Sequence, residues 1–175
     1  MNTVKIQLPA QHPAQQQIKS ERNRFNVICN GRRFGKNIML QDWQIETALV
    51  NGQPSAWGAP TYKMLLDDFK MLSNILAPVT VRKSEQEKSI ELVSGGRIDF
   101  WSLDNPDVIR GRHYKRFSVN EAAFVPNLVS IFDLIIRPTL IDLVGGADFA
   151  GTPKGMNGFW QLYNRTGAEW SRWQM

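Results

Sequence analysis

Eight consecutive residues constrain this chain more than any others: Asn30-Gly31-Arg32-Arg33-Phe34-Gly35-Lys36-Asn37. An apolar, strand-like run ends just before them, and a helix-like segment opens at Gly35. Such a loop cradles phosphates: backbone N–H groups and a helix N-terminus face the anion, and one lysine reaches its outer oxygens. The motif departs from G-x-x-x-x-G-K-[ST] at both ends. Asn30 replaces the first glycine, which is tolerable because asparagine visits the left-handed region more readily than most residues. Asn37 stands where a hydroxyl would meet magnesium, and its amide oxygen can still face a hard cation. Taken by itself, the segment reads equally well as a basic turn facing solvent.

At 175 residues the chain suits one α/β domain with a real core and is short for two. Hydrophobic and charged contents of 42% and 21% exclude a disordered tail. The net charge of +5, from 21 basic and 16 acidic residues, suits a polyanion. Much of that excess sits in the loop and around Arg110 to Arg116. A single cysteine, Cys29, excludes an internal disulfide and reads as a small buried strand residue. No apolar run approaches a membrane span, and the polar N-terminus lacks a signal-peptide core. The expectation is a soluble intracellular protein with no membrane partner.

Strands and helices alternate along the sequence. Phe25 to Cys29, Ser55 to Ala59, Arg116 to Val119 and Ala147 to Ala150 read as strands. Gly35 to about Val50 reads as a helix, and so does Lys63 to Leu76, where Leu65, Phe69, Leu72 and Leu76 recur at helical spacing. Ser89 to Val93 and Arg97 to Trp101 flank Ser94-Gly95-Gly96 as a hairpin. Pro126 opens a further helix with Leu128, Ile131, Phe132 and Ile135 on one face, ending at Arg137-Pro138. The pattern predicts a mostly parallel sheet covered on both faces, with the hairpin as an antiparallel addition. Ligands of such sheets sit at the carboxyl ends of the strands, and the polar motifs fall there.

Phe117-Ser118-Val119-Asn120-Glu121 reads as a second nucleotide motif. A strand ending in Asp-Glu supplies an aspartate to the magnesium shell and a glutamate that orients water. Glu121 keeps the second role, while Asn120 replaces the first carboxylate. An N-cap followed by a first-turn glutamate explains the same residues structurally. Thr152, in Gly151-Thr152-Pro153, can sense a γ-phosphate or simply occupy a turn. Gln15 offers an amide donor and acceptor suited to an adenine edge. Arg110 suits a transferring phosphoryl group, in cis or from a neighbouring subunit, or else pairs with Asp104 or Asp107. Asp99, Asp104 and Asp107 suggest a nuclease cluster or, more simply, the solvated acidic ends of the hairpin. His12 and His113 have no partners at metal-ligand spacing.

In order and spacing, six segments resemble the N-terminal ATPase domain of the large terminase subunit of tailed bacteriophages. They are His12-Pro13-Ala14-Gln15, Gly31-Arg32-Arg33-Phe34-Gly35-Lys36, Ala59-Pro60-Thr61-Tyr62, Ile109-Arg110-Gly111, Asn120-Glu121-Ala122-Ala123 and Gly151-Thr152-Pro153-Lys154-Gly155. The resemblance implies a P-loop NTPase fold of the ASCE, RecA-like type, a three-layer sandwich. It also implies an ATP-driven motor that packs double-stranded DNA into a procapsid, in the cytoplasm of an infected bacterium. Its implied partners are ATP with Mg2+, a homo-oligomeric ring on a portal protein, and a small terminase subunit. By the same resemblance Gln15 contacts adenine, while residues 30–37 (Asn30, Gly31, Arg32, Arg33, Phe34, Gly35, Lys36 and Asn37) and Thr152 hold the nucleotide. Lys36, Arg32, Glu121 and Arg110 take the catalytic roles, with Arg110 acting in trans. Asn37 and Asn120 face the metal.

The family pattern implies more chain than this: another strand and a lid beyond Trp170 to Met175, then a nuclease domain. On that comparison residues 1–175 are an ATPase domain cut short, either an excised fragment or a shortened product, exposing apolar surface around Trp170 and Trp173. Two other readings stay open. One is a nucleotide-binding or structural module that docks on DNA or capsid without hydrolysis, and the other a helicase-like P-loop ATPase of another family.

Overall fold

Short segments whose alternate side chains are apolar on both faces build the centre of this molecule. The computed structural model describes residues 3–175. Its strands are β1 (Phe25–Cys29), β2 (Pro54–Ala59), β3 (Thr80–Ser84), β4 (Ser89–Leu92), β5 (Arg97–Ser102), β6 (Arg116–Val119), β7 (Gly146–Gly151) and β8 (Trp170–Trp173). They form one sheet in the order β3-β4-β5-β2-β6-β7-β1-β8. Neighbours from β5 through β8 run parallel, whereas β3 and β4 pair antiparallel with each other and β4 with β5. The α/β sheet with an antiparallel addition is therefore as the sequence predicts. The strand before the basic loop, β1, is separated from β6 by β7, and all three deliver their carboxyl ends to one edge.

Each face carries its own core. Phe25, Val27, Phe117, Val119 and Phe149 point to one side, where α4 (Leu128–Ile131) runs into a wide turn (Phe132–Ile136) and α5 (Arg137–Thr139). α6 (Gly158–Tyr163) completes that layer. Ile28, Trp57, Ala59 and Ala150 point to the other side, under α2 (Lys36–Ile45, continuing as a wide turn over Glu46–Val50) and α3 (Tyr62–Leu76). Burying such side chains contributes roughly 1.5–3 kcal/mol each, which outweighs helix propensity in segments this short. α3 starts where Thr61 caps it, its hydroxyl accepting from the Met64 amide at 3.3 Å.

The structure departs from the sequence reading in several places. Helix α1 (Pro13–Glu21) lies in the polar N-terminus, where the sequence reading places no element. β3 and β8 are additions to the expected strands, because β3 is exposed along most of its length and β8 holds serine and arginine between its tryptophans. The helical run from Leu128 continues through Pro138, where the sequence reading ends it. Trp170, expected on an apolar surface, packs its ring 5.0 Å from Phe25 and 5.5 Å from Phe132. Asp99, expected in solvent, is buried and accepts from the Tyr114 hydroxyl at 2.7 Å. No helix among the described residues is long and apolar enough to cross a membrane.

Candidate functional site

The loop between β1 and α2 owes its shape to two left-handed residues, Arg33 (φ 66°) and Gly35 (φ 82°), the second being the N-cap of α2. The left-handed region costs a non-glycine residue roughly 1–2 kcal/mol, so glycine is the economical choice beside the helix start. Lys36, the first helical residue, is buried and folds back over the loop. Its Nζ donates to the carbonyls of Asn30 (2.8 Å) and Gly31 (2.7 Å) and approaches Thr152 Oγ1 at 3.4 Å. Burial pulls its pKa down, while the carboxylate of Glu121 and Cys29 work against that shift. Cys29, half-buried at the end of β1, has its own thiol pushed up by burial, with Lys36 opposing.

Lys36, Glu121 and Thr152 share one open cleft of about 660 Å³ at the carboxyl ends of β1, β6 and β7. The loop contributes Arg32, Arg33, Gly35, Lys36 and Asn37 to its walls. Opposite stand Glu121 and Phe124 from the turn after β6, and Thr152, Pro153 and Lys154 after β7. Four cations face one carboxylate there, which is the electrostatics a polyphosphate needs. Lys154 also sits 4.2 Å from the Phe124 ring centroid, joining the turns after β6 and β7 by a cation–π contact. The same two turns are tied again below, where Asn157 Nδ2 donates to the Ala123 carbonyl at 2.8 Å.

Three expected residues have other tasks here. Gln15 is buried, and its Nε2 donates to the carbonyls of Phe34 (3.0 Å) and Gly35 (3.1 Å). Its Oε1 accepts from the His12 amide at 3.0 Å. Both donor hydrogens are thus committed to the loop, which leaves an adenine edge only a spare oxygen lone pair. His12 adds a contact from Nε2 to the Phe34 carbonyl at 3.1 Å, so α1 holds the loop through two side chains. Arg110 is exposed and does not line the cleft. Its Nε pairs with Asp107 at 2.9 Å, and another guanidinium nitrogen donates to the Leu134 carbonyl at 3.1 Å.

Asn120, expected at the metal, is buried behind the cleft. Its Nδ2 donates to both oxygens of Asp68 (3.3 and 3.1 Å), and its Oδ1 accepts from the Glu121 amide at 3.0 Å. Asp68 lies on α3, is 5% exposed, and also accepts from Trp57 Nε1 at 2.8 Å. Burial pushes its carboxyl up, against the hydrogen bonds from Asn120 and Trp57. Sequence reasoning passes over Asp68, although its position gives a signal: it falls on the apolar stripe of Leu65, Phe69 and Leu72. An acid on a buried helix face is exceptional unless partnered.

Of the two metal candidates only Asn37 therefore reaches the cleft. Among the described residues no group of three or more His, Cys, Asp or Glu side chains is placed to hold a metal ion. That donor set does not suit a resident metal. It is compatible with magnesium that arrives on a nucleotide and takes few protein ligands.

No family model matches the chain. It is 27% identical over 149 residues to the large terminase subunit of Escherichia phage T5, a match covering 83% of this chain and 34% of that protein. The chain thus spans about a third of that relative's length. Its structure is similar to the large terminase ATPase domain of Thermus phage P74-26, with a TM-score of 0.80 at 21% identity over 93% of this chain and 80% of that one. The large terminase of another thermophilic bacteriophage, in complex with ADP, gives a TM-score of 0.67 at 15% identity, over 87% of this chain and 40% of that one. The fold is that of large terminase ATPase domains, and the sequence is similar to a curated large subunit.

Proposed function

We propose that this chain is the ATPase domain of a phage large terminase, binding ATP with magnesium in the cleft beside residues 30–37 and hydrolysing it to drive double-stranded DNA into a procapsid. The observation that carries this reading is the convergence of Lys36, Glu121 and Thr152 on one basic cleft at the carboxyl ends of three adjacent parallel strands. The T5 relative is a terminase large subunit, the P74-26 structure is a terminase ATPase domain, and the second thermophilic-phage terminase holds ADP. Those properties are extended here to a chain with the same fold.

The chain's own groups divide the work. Lys36, with Arg32 and Arg33, neutralises phosphate oxygens, and the amides opening α2 add the helix dipole. Glu121 orients the attacking water, and Thr152 contacts the same lysine from the far wall. Asn37, which lines the cleft, would offer its amide oxygen to magnesium, and the metal would supply further neutralisation of phosphate charge. Arg110 does not line its own cleft, and its contribution to hydrolysis would be to a neighbouring subunit of a homo-oligomeric ring. That ring would sit on a portal protein, with a small terminase subunit, in the cytoplasm of the bacterial host.

Titration with Mg-ATP and steady-state hydrolysis test the reading. Lys36→Ala should weaken Mg-ATP binding, and Lys36→Ala and Glu121→Ala should each lower turnover by about 10²-fold or more. Wild-type turnover in either variant rejects the assigned roles. Undiminished binding by Lys36→Ala rejects the site. A wild-type protein that binds Mg-ATP yet never hydrolyses it, even when assembled, would favour a docking module.

A further inference from the structure

We infer that Asp68, on α3, is a positioning residue for Glu121, acting through Asn120. The inference rests on the nucleotide site proposed above but not on its turnover. Trp57 Nε1 can only donate, and an ionised carboxylate can only accept. Asp68 must therefore take the Trp57 indole hydrogen with one lone pair and face a donor with the others. The group facing it is Asn120, which fixes the amide: Nδ2 toward Asp68 and Oδ1 toward the Glu121 N–H. Glu121 itself stands in the left-handed region at φ 51° and ψ 40°, where a glutamate does not rest without support. The chain Trp57–Asp68–Asn120–Glu121 supplies that support from the core outward.

One consequence runs against the motif reading. Asn120→Asp, the change that restores the usual Asp-Glu pair, sets a second carboxylate where Nδ2 now lies 3.1 Å from Asp68. Asp68→Asn fails differently: the oxygen that takes the Trp57 hydrogen, also the nearer one to Asn120 Nδ2 at 3.1 Å, must stay an oxygen, so the new amide nitrogen replaces the other one and sets donor against donor in the 3.3 Å contact. If Asn120 then flips, its nitrogen meets the Glu121 N–H. The double exchange Asp68→Asn with Asn120→Asp restores a donor facing an acceptor, because Trp57 donates to the new amide oxygen and the new amide nitrogen, in the place of the oxygen 3.3 Å from position 120, donates to the new carboxylate.

The experiment compares wild type, the two single variants and the double exchange. Backbone amide exchange at Glu121 is followed by NMR, alongside Mg-ATP affinity and kcat. Each single change should speed Glu121 amide exchange about tenfold, and the double exchange should return it near wild type. With Mg-ATP affinity held within about twofold, kcat should fall roughly 10²-fold in the singles and recover in the double. Unaltered Glu121 exchange in Asp68→Asn, or a double variant no better than the worse single, overturns the proposal. If Asp68→Asn does not fold, Asn120→Asp and the double exchange decide by the same comparison. Should exchange behave as expected while no protein, wild type included, hydrolyses ATP even when assembled, the motor reading falls and the positioning stands.

Discussion

Lys36 Nζ lies 3.4 Å from Thr152 Oγ1, so the first residue of α2 already touches the hydroxyl that follows β7. It also donates to two loop carbonyls at shorter distance. The ammonium is thus held inside the cleft by three acceptors, each exchangeable for a phosphate oxygen with little movement. Because its desolvation is already met in the protein, part of the binding cost is removed beforehand.

The lysine's main anchors are the carbonyls, so Thr152→Val should leave it in place. A neutral hydrogen bond is worth about 0.5–1.5 kcal/mol, and this one is long. The expected result by calorimetry is a loss of Mg-ATP affinity of less than about tenfold, far below that of Lys36→Ala. Equal losses in the two variants would make the hydroxyl the principal partner.

Gln15 gives a sharper test, because two mechanisms predict different selectivity. Its Nε2 holds the Phe34 and Gly35 carbonyls, so Gln15→Ala should loosen the loop and weaken any nucleoside triphosphate. Loss of two such bonds predicts roughly 1–3 kcal/mol, shared equally by ATP and GTP. Competition titrations with both nucleotides measure it. A loss confined to ATP would mean that the amide leaves the loop to read adenine.

The same contact makes Gly35 costly to replace. Its φ of 82° is strained for any L side chain, and a Cβ there would lie 2.4 Å from Gln15 Nε2. Gly35→Ala should therefore cost about 1–2 kcal/mol from the backbone, with a further loss from displacing Gln15. Urea unfolding reads the sum, and Gln15→Ala in the same background should cost less than it does alone. Strict additivity of the two would show that the side chains do not compete.

What is legible in the sequence follows from periodicity and from motifs that act through a single local shape. The 2-residue and 3.6-residue patterns of β1, α3 and the Leu128 helix are written in apolar residues that pack into the core on one or the other face of the sheet. The loop, Glu121 and Thr152 can be placed because each follows such a strand. Asn120 and Gln15 read as outward-facing because a sequence shows which groups can donate but not which acceptors lie across the fold. Asp68 sits 52 positions from Asn120 in the chain, and Phe34 lies 19 from Gln15. The fully buried Asp148 is invisible for the same reason: Asn26, Arg116 and Ser118 reach it only once β1, β6 and β7 are side by side. β8 escapes notice because an edge strand with half its residues polar carries too little pattern to announce itself.

Acid stability should report the last stretch before β8. Arg165 donates to Asp133 through two nitrogens at 2.7 and 2.5 Å, while its guanidinium stacks 5.5 Å from both the Phe132 and Trp170 rings. Those hydrogen bonds, against some burial, hold the Asp133 carboxyl below its usual range, with the charges of Arg165 and Arg137 adding to the effect. A carboxyl depressed in the folded state binds fewer protons there than in the unfolded chain, so its contribution is present above the unfolded value of about 3.9 and fades as pH falls through the folded one. Asp68 works with the opposite sign, since its carboxyl is raised by burial and folding takes up a proton as acidity increases. The two are separated by mutation. Urea midpoints from pH 7 to pH 3 should show Asp133→Asn less stable than wild type at neutral pH and the gap closing toward acid. A gap that stays constant across that range would mean that Asp133 supports β8 by packing rather than by charge.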